Sequence, residues 1–305
     1  MDEVSKRKGG LMRYRPIKLR KFRYFSIIFL GILLFGAGTI NNEPISISFN
    51  SEGYVLKGKF YPAEGKCPFP TVLLLQGFPG NEKDVIGLGK RVSAAGMNAF
   101  TFNYRGTHKS EGRFSLENTI HDIQAALEYF HKEEIVREFK IDTSNIILCG
   151  YSYGGGMALT FAANHPEIRR IISVAGTDHG EFIREYLRNE SMAEIINDMF
   201  DRLKAPEGPA RFEGHVALQE LIDNENLYDL RLSAPKLADR EILLIGGWDD
   251  VNITIENHLL PLYRALKKEN AHNVEFIAYH TDHSFVNVRD KLAEDIIKWI
   301  IKGIK

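Results

Sequence analysis

The sequence predicts an α/β architecture: a mostly parallel sheet flanked by helices and interrupted by a helical lid insertion. Short, continuous apolar runs alternate with stretches of helical period, the pattern of strands buried on both faces between crossover helices. One interval between such runs, Thr177–Asp239, is far longer than a single crossover requires. At 44% hydrophobic and 26% charged residues, the 305-residue chain has the composition of a globular body that can bury a core.

Residues 1–43 stand apart from that body. Met1–Arg23 carries nine Lys and Arg residues against Asp2 and Glu3, and Phe25–Ile40 is free of charge. A basic flank followed by an apolar run is an export signal or a membrane anchor. The run is near the short limit of a spanning helix, which wants roughly 17–25 apolar residues. Ile27–Phe35 followed by Gly36-Ala37-Gly38 also fits the core and small-residue site of a cleaved signal. The long basic flank and the poor Ala-x-Ala match favour an uncleaved anchor, with a secreted or periplasmic product as the alternative. In either case the excess of basic residues keeps the N-terminus cytoplasmic and places the body on the far side. With a net charge of −1 for the whole chain, the body after Arg23 is mildly acidic and has no basic stripe, which excludes nucleic acid as an expected partner.

Residues 44–305 read as one domain. Ile45, Ile47 and Phe49 alternate with polar residues, and a Ser51-Glu52-Gly53 turn leads into Val55–Tyr61, an opening hairpin. Buried strands follow at Thr71–Leu75, Ala99–Asn103, Asn145–Cys149, Arg170–Val174, Glu241–Ile245 and Val274–Tyr279. Between them, Ile120, Ile123, Leu127 and Phe130 share one helical face. Further helices are expected at Asp84–Ala95, Gly155–Asn164, Ile255–Lys268 and Val286–Ile301. The insertion, about 177–239, contains helical stretches at Glu181–Lys204 and around His215–Ile222. Two cysteines, Cys67 and Cys149, suggest no disulfide framework.

The chemistry concentrates in three loops. Gly150-Tyr151-Ser152-Tyr153-Gly154 lies between a strand and a helix, where glycines two residues either side of a serine let neighbouring backbone approach a strained turn. A serine nucleophile needs a base, and the base needs an orienting carboxylate. Asp249 and Asp250 close the strand Glu241–Ile245, and His280 and His283 stand in the loop after the next strand. No metal ligand set and no cofactor motif is expected; His280 and His283 have no further ligands near them in sequence.

Ser, Asp and His in this chain order, each on a loop after a strand, resemble the α/β-hydrolase superfamily from about Ile45 to the C-terminus. Gln76-Gly77-Phe78-Pro79-Gly80-Asn81 resembles the His-Gly-Phe-x-Gly-Asn loop of capped esterases and prolyl-oligopeptidase-like enzymes, with Gln76 in place of the usual His. Asn103-Tyr104-Arg105-Gly106 resembles the next loop in the same groups, where Arg105 is expected as a brace. The resemblance implies an α/β-hydrolase fold and a triad of Ser152, Asp250 and His283, with Gly150 and Gly154 shaping the nucleophile turn. His283 is preferred to His280, and Asp249 is the alternative acid. The resemblance also implies that the backbone N–H groups of Phe78 and Tyr153 form an oxyanion hole. The expected activity is hydrolysis of a small-molecule ester; a prolyl-oligopeptidase-like peptidase acting on short peptides and a non-catalytic, membrane-held binding module are the alternatives.

Overall fold

The computed structural model describes residues 43–304. The expected signal or anchor segment, Phe25–Ile40, lies outside the described residues. Among the described residues no helix is long and apolar enough to cross a membrane.

The period-two pattern at the start folds as the hairpin β1 (Ile45–Ser51) and β2 (Tyr54–Tyr61). There follow β3 (Phe69–Leu75), α1 (Leu88–Ala94), β4 (Asn98–Phe102), α2 (Leu116–His131), α3 (Glu133–Phe139), β5 (Ile141–Tyr151), α4 (Tyr153–Asn164) and β6 (Arg170–Val174). The long interval holds α5 (His179–Arg188), α6 (Glu190–Leu203), α7 (Gly214–Asp223), α8 (Glu225–Tyr228) and α9 (Leu230–Leu237). The chain closes with β7 (Glu241–Gly247), a π-helical turn (Ile255–Leu259), α10 (Leu260–Lys268), β8 (Val274–Tyr279) and α11 (Arg289–Lys302).

The eight strands form one sheet in the order β1-β2-β4-β3-β5-β6-β7-β8. β2 runs antiparallel to both of its neighbours, and every pair from β4 to β8 is parallel. The order reverses at β3, with β4 on one side and β5 on the other. Crossovers on either side of such a point leave a crevice at the carboxyl ends of the strands, where ligands bind in open α/β sheets.

Alternation along the strands builds a core on each face. Phe100 and Phe102 of β4 pack with Phe49, Phe130 and Met157 on one side, while Ala99 joins Val92 of α1 and Trp299 of α11 on the other. Helix α4 runs through the first of these cores, buried from Tyr153 to Ala163.

Three of the helical boundaries that differ from the sequence reading have a local reason. The first crossover helix begins at Leu88 because Ile86 and Gly87 have positive φ, 43° and 79°. Asp84, the expected start, instead accepts the N–H groups of Val85 and Gly89. Glu181–Lys204 is two helices, since the Asn189 side chain accepts the Met192 N–H and starts a new one. Ile255–Lys268 opens as a π-turn because Pro261 has no N–H to return to the Asn257 carbonyl. The helix α3 and the pair α8–α9 carried too little periodicity in their short spans to be read.

Arg105 acts as the expected brace. Its guanidinium donates to Asp122 Oδ1 (3.0 Å) and Ser51 Oγ (2.8 Å), and its own N–H donates to Asp122 Oδ2 (2.6 Å). Arg105 and Asp122 are both buried, and they tie the loop after β4 to α2 and the end of β1. Removing one member of a buried pair strands the other. Asp122→Ala is expected to cost about 3–5 kcal/mol in urea denaturation, with part recovered by adding Arg105→Met. A loss below 1 kcal/mol would mean the pair is not a brace.

Candidate active site

Strand β5 delivers its chain into α4 through Ser152, whose φ of 54° and ψ of −122° lie outside the regions ordinary residues favour. Glycine is required on both sides. A Cβ on Gly150 would sit 2.0 Å from the Gly154 carbonyl oxygen, and one on Gly154 would sit 2.5 Å from the carbonyl oxygens of Leu75 and Gln76. The Ser152 N–H donates to Val174 (2.8 Å), and its carbonyl accepts from Gly155 and Thr177. These bonds hold the turn in a conformation that by itself costs about 1–3 kcal/mol.

The structure brings three of the predicted side chains together. His283 Nε2 lies 2.9 Å from Ser152 Oγ, and His283 Nδ1 lies 2.6 Å from Asp250 Oδ2. A carboxylate only accepts, so Nδ1 carries the proton and Nε2 is left to accept from the serine hydroxyl. The other oxygen of Asp250 accepts the N–H groups of Asn252 and Ile253, both at 2.9 Å. Asp250 is buried, whereas Asp249 is exposed and pairs through its backbone N–H with Thr281. His280 is also exposed and stands outside the group.

Two further contacts fix the histidine loop. The Tyr151 hydroxyl donates to the His283 carbonyl (2.7 Å), and its ring lies 5.2 Å from the imidazole. Burial pushes the Tyr151 phenol up to about 12, so it stays a neutral donor. Phe285, at a φ of 54°, is fully buried in the core that includes residues of α1 and α11 and anchors the loop two residues beyond the histidine.

The β3 loop lies against the serine. A Cβ on Gly77 would sit 3.4 Å from Ser152 Cβ. The rings of Phe78 and Tyr153 are 6.0 Å apart, and among the described residues no backbone carbonyl accepts from either N–H. Gln76 shapes this loop from beneath: Nε2 donates to the Asn81 carbonyl (2.8 Å) while Oε1 accepts the Asn81 N–H (2.7 Å). The same amide reaches Asn103 Oδ1 at 3.2 Å. Sequence motifs could not disclose the roles of Gln76 and Tyr151, because both depend on partners brought in by the fold.

The helices of the insertion meet this loop through aromatic rings. Phe78 lies 5.2 Å from Phe212 and 6.3 Å from Phe200 of α6, and Phe114 completes the group at 4.3 Å. A polar cluster joins α5 to α8 and α9, with Arg184 contacting Glu181, Glu225 and Asp229. Among the described residues no group of three or more His, Cys, Asp or Glu side chains is placed to hold a metal ion. Burial pushes the Cys149 thiol up to about 12, which leaves it a core residue rather than a nucleophile.

A family model described as the alpha/beta hydrolase fold matches residues 70–219. The alpha/beta hydrolase domain-containing protein WAV2 of Arabidopsis thaliana is 31% identical over 119 residues, covering 39% of this chain and 37% of that protein. The matched stretch is thus well under half the length of that relative. Among solved structures, a Pyrococcus furiosus esterase superposes with a TM-score of 0.61 at 15% identity, covering 85% of this chain and 91% of its own. The acylaminoacyl peptidase of Pyrococcus horikoshii gives 0.64 at 20% identity, covering 86% of this chain and 42% of its own. At these identities the superpositions speak for the fold.

His179, at the start of α5, is a neighbour of the site that no motif in the sequence marks. Its ring lies 5.0 Å from that of Tyr153, and neither ring nitrogen has a partner among the described residues. Burial, with the charge of His258 secondary, lowers its pKa to about 3. Below the unfolded value of roughly 6.5, the unfolded chain therefore binds a proton that the folded protein refuses until about 3. Stability from this residue is present at neutral pH and is lost as the pH falls across that window. His179→Phe removes the penalty, so the variant should gain on the wild type by about 1.4 kcal/mol per pH unit below 6.5. Urea denaturation at pH 7, 6 and 5 reads this slope, and a difference that does not change with pH would refute it.

Proposed function

Because the chain belongs to the α/β-hydrolase superfamily, we propose that it is a serine hydrolase that cleaves carboxylic esters through an acyl-enzyme. The observation that carries this reading is the pair of hydrogen bonds linking Ser152, His283 and Asp250, 2.9 and 2.6 Å long. Ser152 Oγ attacks the ester carbonyl while His283 Nε2 takes the hydroxyl proton, and Asp250 holds the imidazole by Nδ1 and stabilises the imidazolium. The developing oxyanion receives the N–H groups of Phe78 and Tyr153; one such donor is worth about 2.7–4 kcal/mol at the transition state. His283 then returns the proton to the departing alkoxide, and a water repeats the sequence on the acyl-enzyme.

The walls support an apolar substrate. Phe78, half-buried beside the serine and backed by the buried rings of Phe114 and Phe212, stands on one side, with the helices α5–α9 acting as a lid in this reading. Trp248 and Val251, flanking Asp250, and Val286, beyond His283, expose apolar surface on the other. Ester cleavage is favoured over removal of N-terminal residues from peptides because that task needs a free acid to hold the substrate amine. Glu181 is paired with Arg184 and Arg188, and Glu185 with Asn257 and His258. The N-terminal segment is proposed to hold this domain at the non-cytoplasmic face of a membrane.

Ser152→Ala should abolish labelling by a fluorophosphonate probe and hydrolysis of a short aryl ester, and Asp250→Asn should lower kcat about 10⁴-fold. An aminoacyl-proline amide, assayed alongside, should be cleaved far more slowly than the ester. Folded wild-type protein that neither takes the probe nor turns over the ester would overturn the hydrolase reading in favour of a binding module.

A further inference from the structure

We infer that the open face of the β1–β2–β4 edge is a binding site for a phosphorylated ligand, separate from the proposed active site. A cavity of about 300 Å³ lies there, with Lys57, Lys59, Lys83 and Lys109 in its wall and Glu82 as its acid. Register sets up the cationic rows. Lys57 and Lys59 are two positions apart on β2 and share a face, opposite Ser48 and Ser46 of β1 respectively, with Thr101 of β4 opposite Lys59. Tyr61, next in that series, is covered where its hydroxyl donates to the Lys83 carbonyl (2.6 Å). The sheet face is therefore closed at Tyr61 and open at the two lysines.

Three of these charges are not neutralised by acids. Lys57 Nζ donates to Ser48 Oγ (3.1 Å) and Lys59 Nζ to Ser46 Oγ (2.9 Å). Among the described residues neither these two nor Lys83 forms an ion pair; Lys109 lies 3.4 Å from Glu82. Asp84, next in sequence to Lys83, is turned to backbone N–H groups at the entry to α1. Thr101, in the same wall, is buried, and its Oγ1 has no hydrogen-bond partner among the described residues, an arrangement that leaves a donor and acceptor for a bound group. Four ammonium groups against one carboxylate, in a concave site on a mildly acidic body, focus a field that a multiply charged oxyanion fits and a neutral ligand does not. Three ammonium donors and the Thr101 hydroxyl suit the oxygens of a phosphoryl group.

The site adjoins the proposed oxyanion loop. Gln76 and Asn81 reach the inner end of the same cavity, and their mutual hydrogen bonds shape the loop that carries Phe78.

The test is isothermal titration of the full-length chain with inorganic pyrophosphate at fixed ionic strength, with soluble dihexanoyl phosphatidic acid as a second probe. Wild type should bind saturably. Lys57→Met with Lys59→Met should weaken binding at least tenfold, while Lys236→Met, on another face, should leave it unchanged. Thr101→Val should weaken binding several-fold without lowering the melting temperature of the ligand-free protein. Tighter binding of the phosphatidic acid would identify a lipid headgroup as the source, and tighter binding of pyrophosphate a free phosphorylated compound. Absence of saturable binding by both probes, or equal weakening by Lys236→Met, would overturn the site. Because Ser152→Ala should bind as wild type does, failure here is distinguishable from failure of the hydrolase reading.

Discussion

Everything at the carboxyl edge of this sheet depends on one close approach of backbone to backbone. The elbow after β5 must pass within van der Waals distance of the end of β3, and the atoms that a Gly154 side chain would meet are carbonyl oxygens rather than movable side chains. Glycine is therefore a geometric necessity there. Given that approach, Ser152 stands at the N-terminus of α4 with its peptide bonded to Val174, Gly155 and Thr177, and the β3 loop is pressed against its Cβ. The sheet reversal at β3 supplies the space in front. A chain that folded as an equally stable sheet without this contact would keep its core and lose its site.

Much of this was legible because the relevant signals are local. Continuous apolar runs located the parallel strands, and two of them, Arg170–Val174 and Val274–Tyr279, have the bounds the sequence suggested. The pentapeptide around Ser152 was readable for the same reason, since glycines at fixed offsets carry a steric meaning that needs no partner. The candidate acid was harder. Asp249 and Asp250 are adjacent, and only the fold decides that one turns inward to three partners while the other faces solvent. Helix boundaries were misread where a single residue intervened, as Asn189 and Pro261 did, because periodicity averages over such punctuation.

The insertion between β6 and β7 illustrates a different limit. Its sequence reads as amphipathic helices, but part of what joins them is a set of polar contacts: Arg184 against Glu181 of α5, Glu225 of α8 and Asp229 just before α9, and Glu185 against the π-turn. Pairwise attraction between residues some 40 positions apart leaves no pattern in sequence. It does bear on chemistry, since an acid already held by two cations or by an amide and an imidazole is not available to a substrate. Beside that network, His179 is buried with no hydrogen-bond partner among the described residues, a cost accepted next to Tyr153, where the chain enters α4.

Gln76 belongs both to the lysine-lined cavity and to the loop after β3. Where similar proteins usually have histidine, this chain has an amide that grips a single residue, Asn81, by both its N–H and its C=O. An imidazole at that position would titrate, and with Lys57, Lys59, Lys83 and Lys109 around the adjoining cavity its charged form would meet repulsion. An amide carries a donor and an acceptor at every pH. The loop that presents Phe78 is thus braced by a group indifferent to the positive field beside it, so a lysine-lined cavity and the proposed oxyanion loop can share one residue without the charge of the first disturbing the geometry of the second.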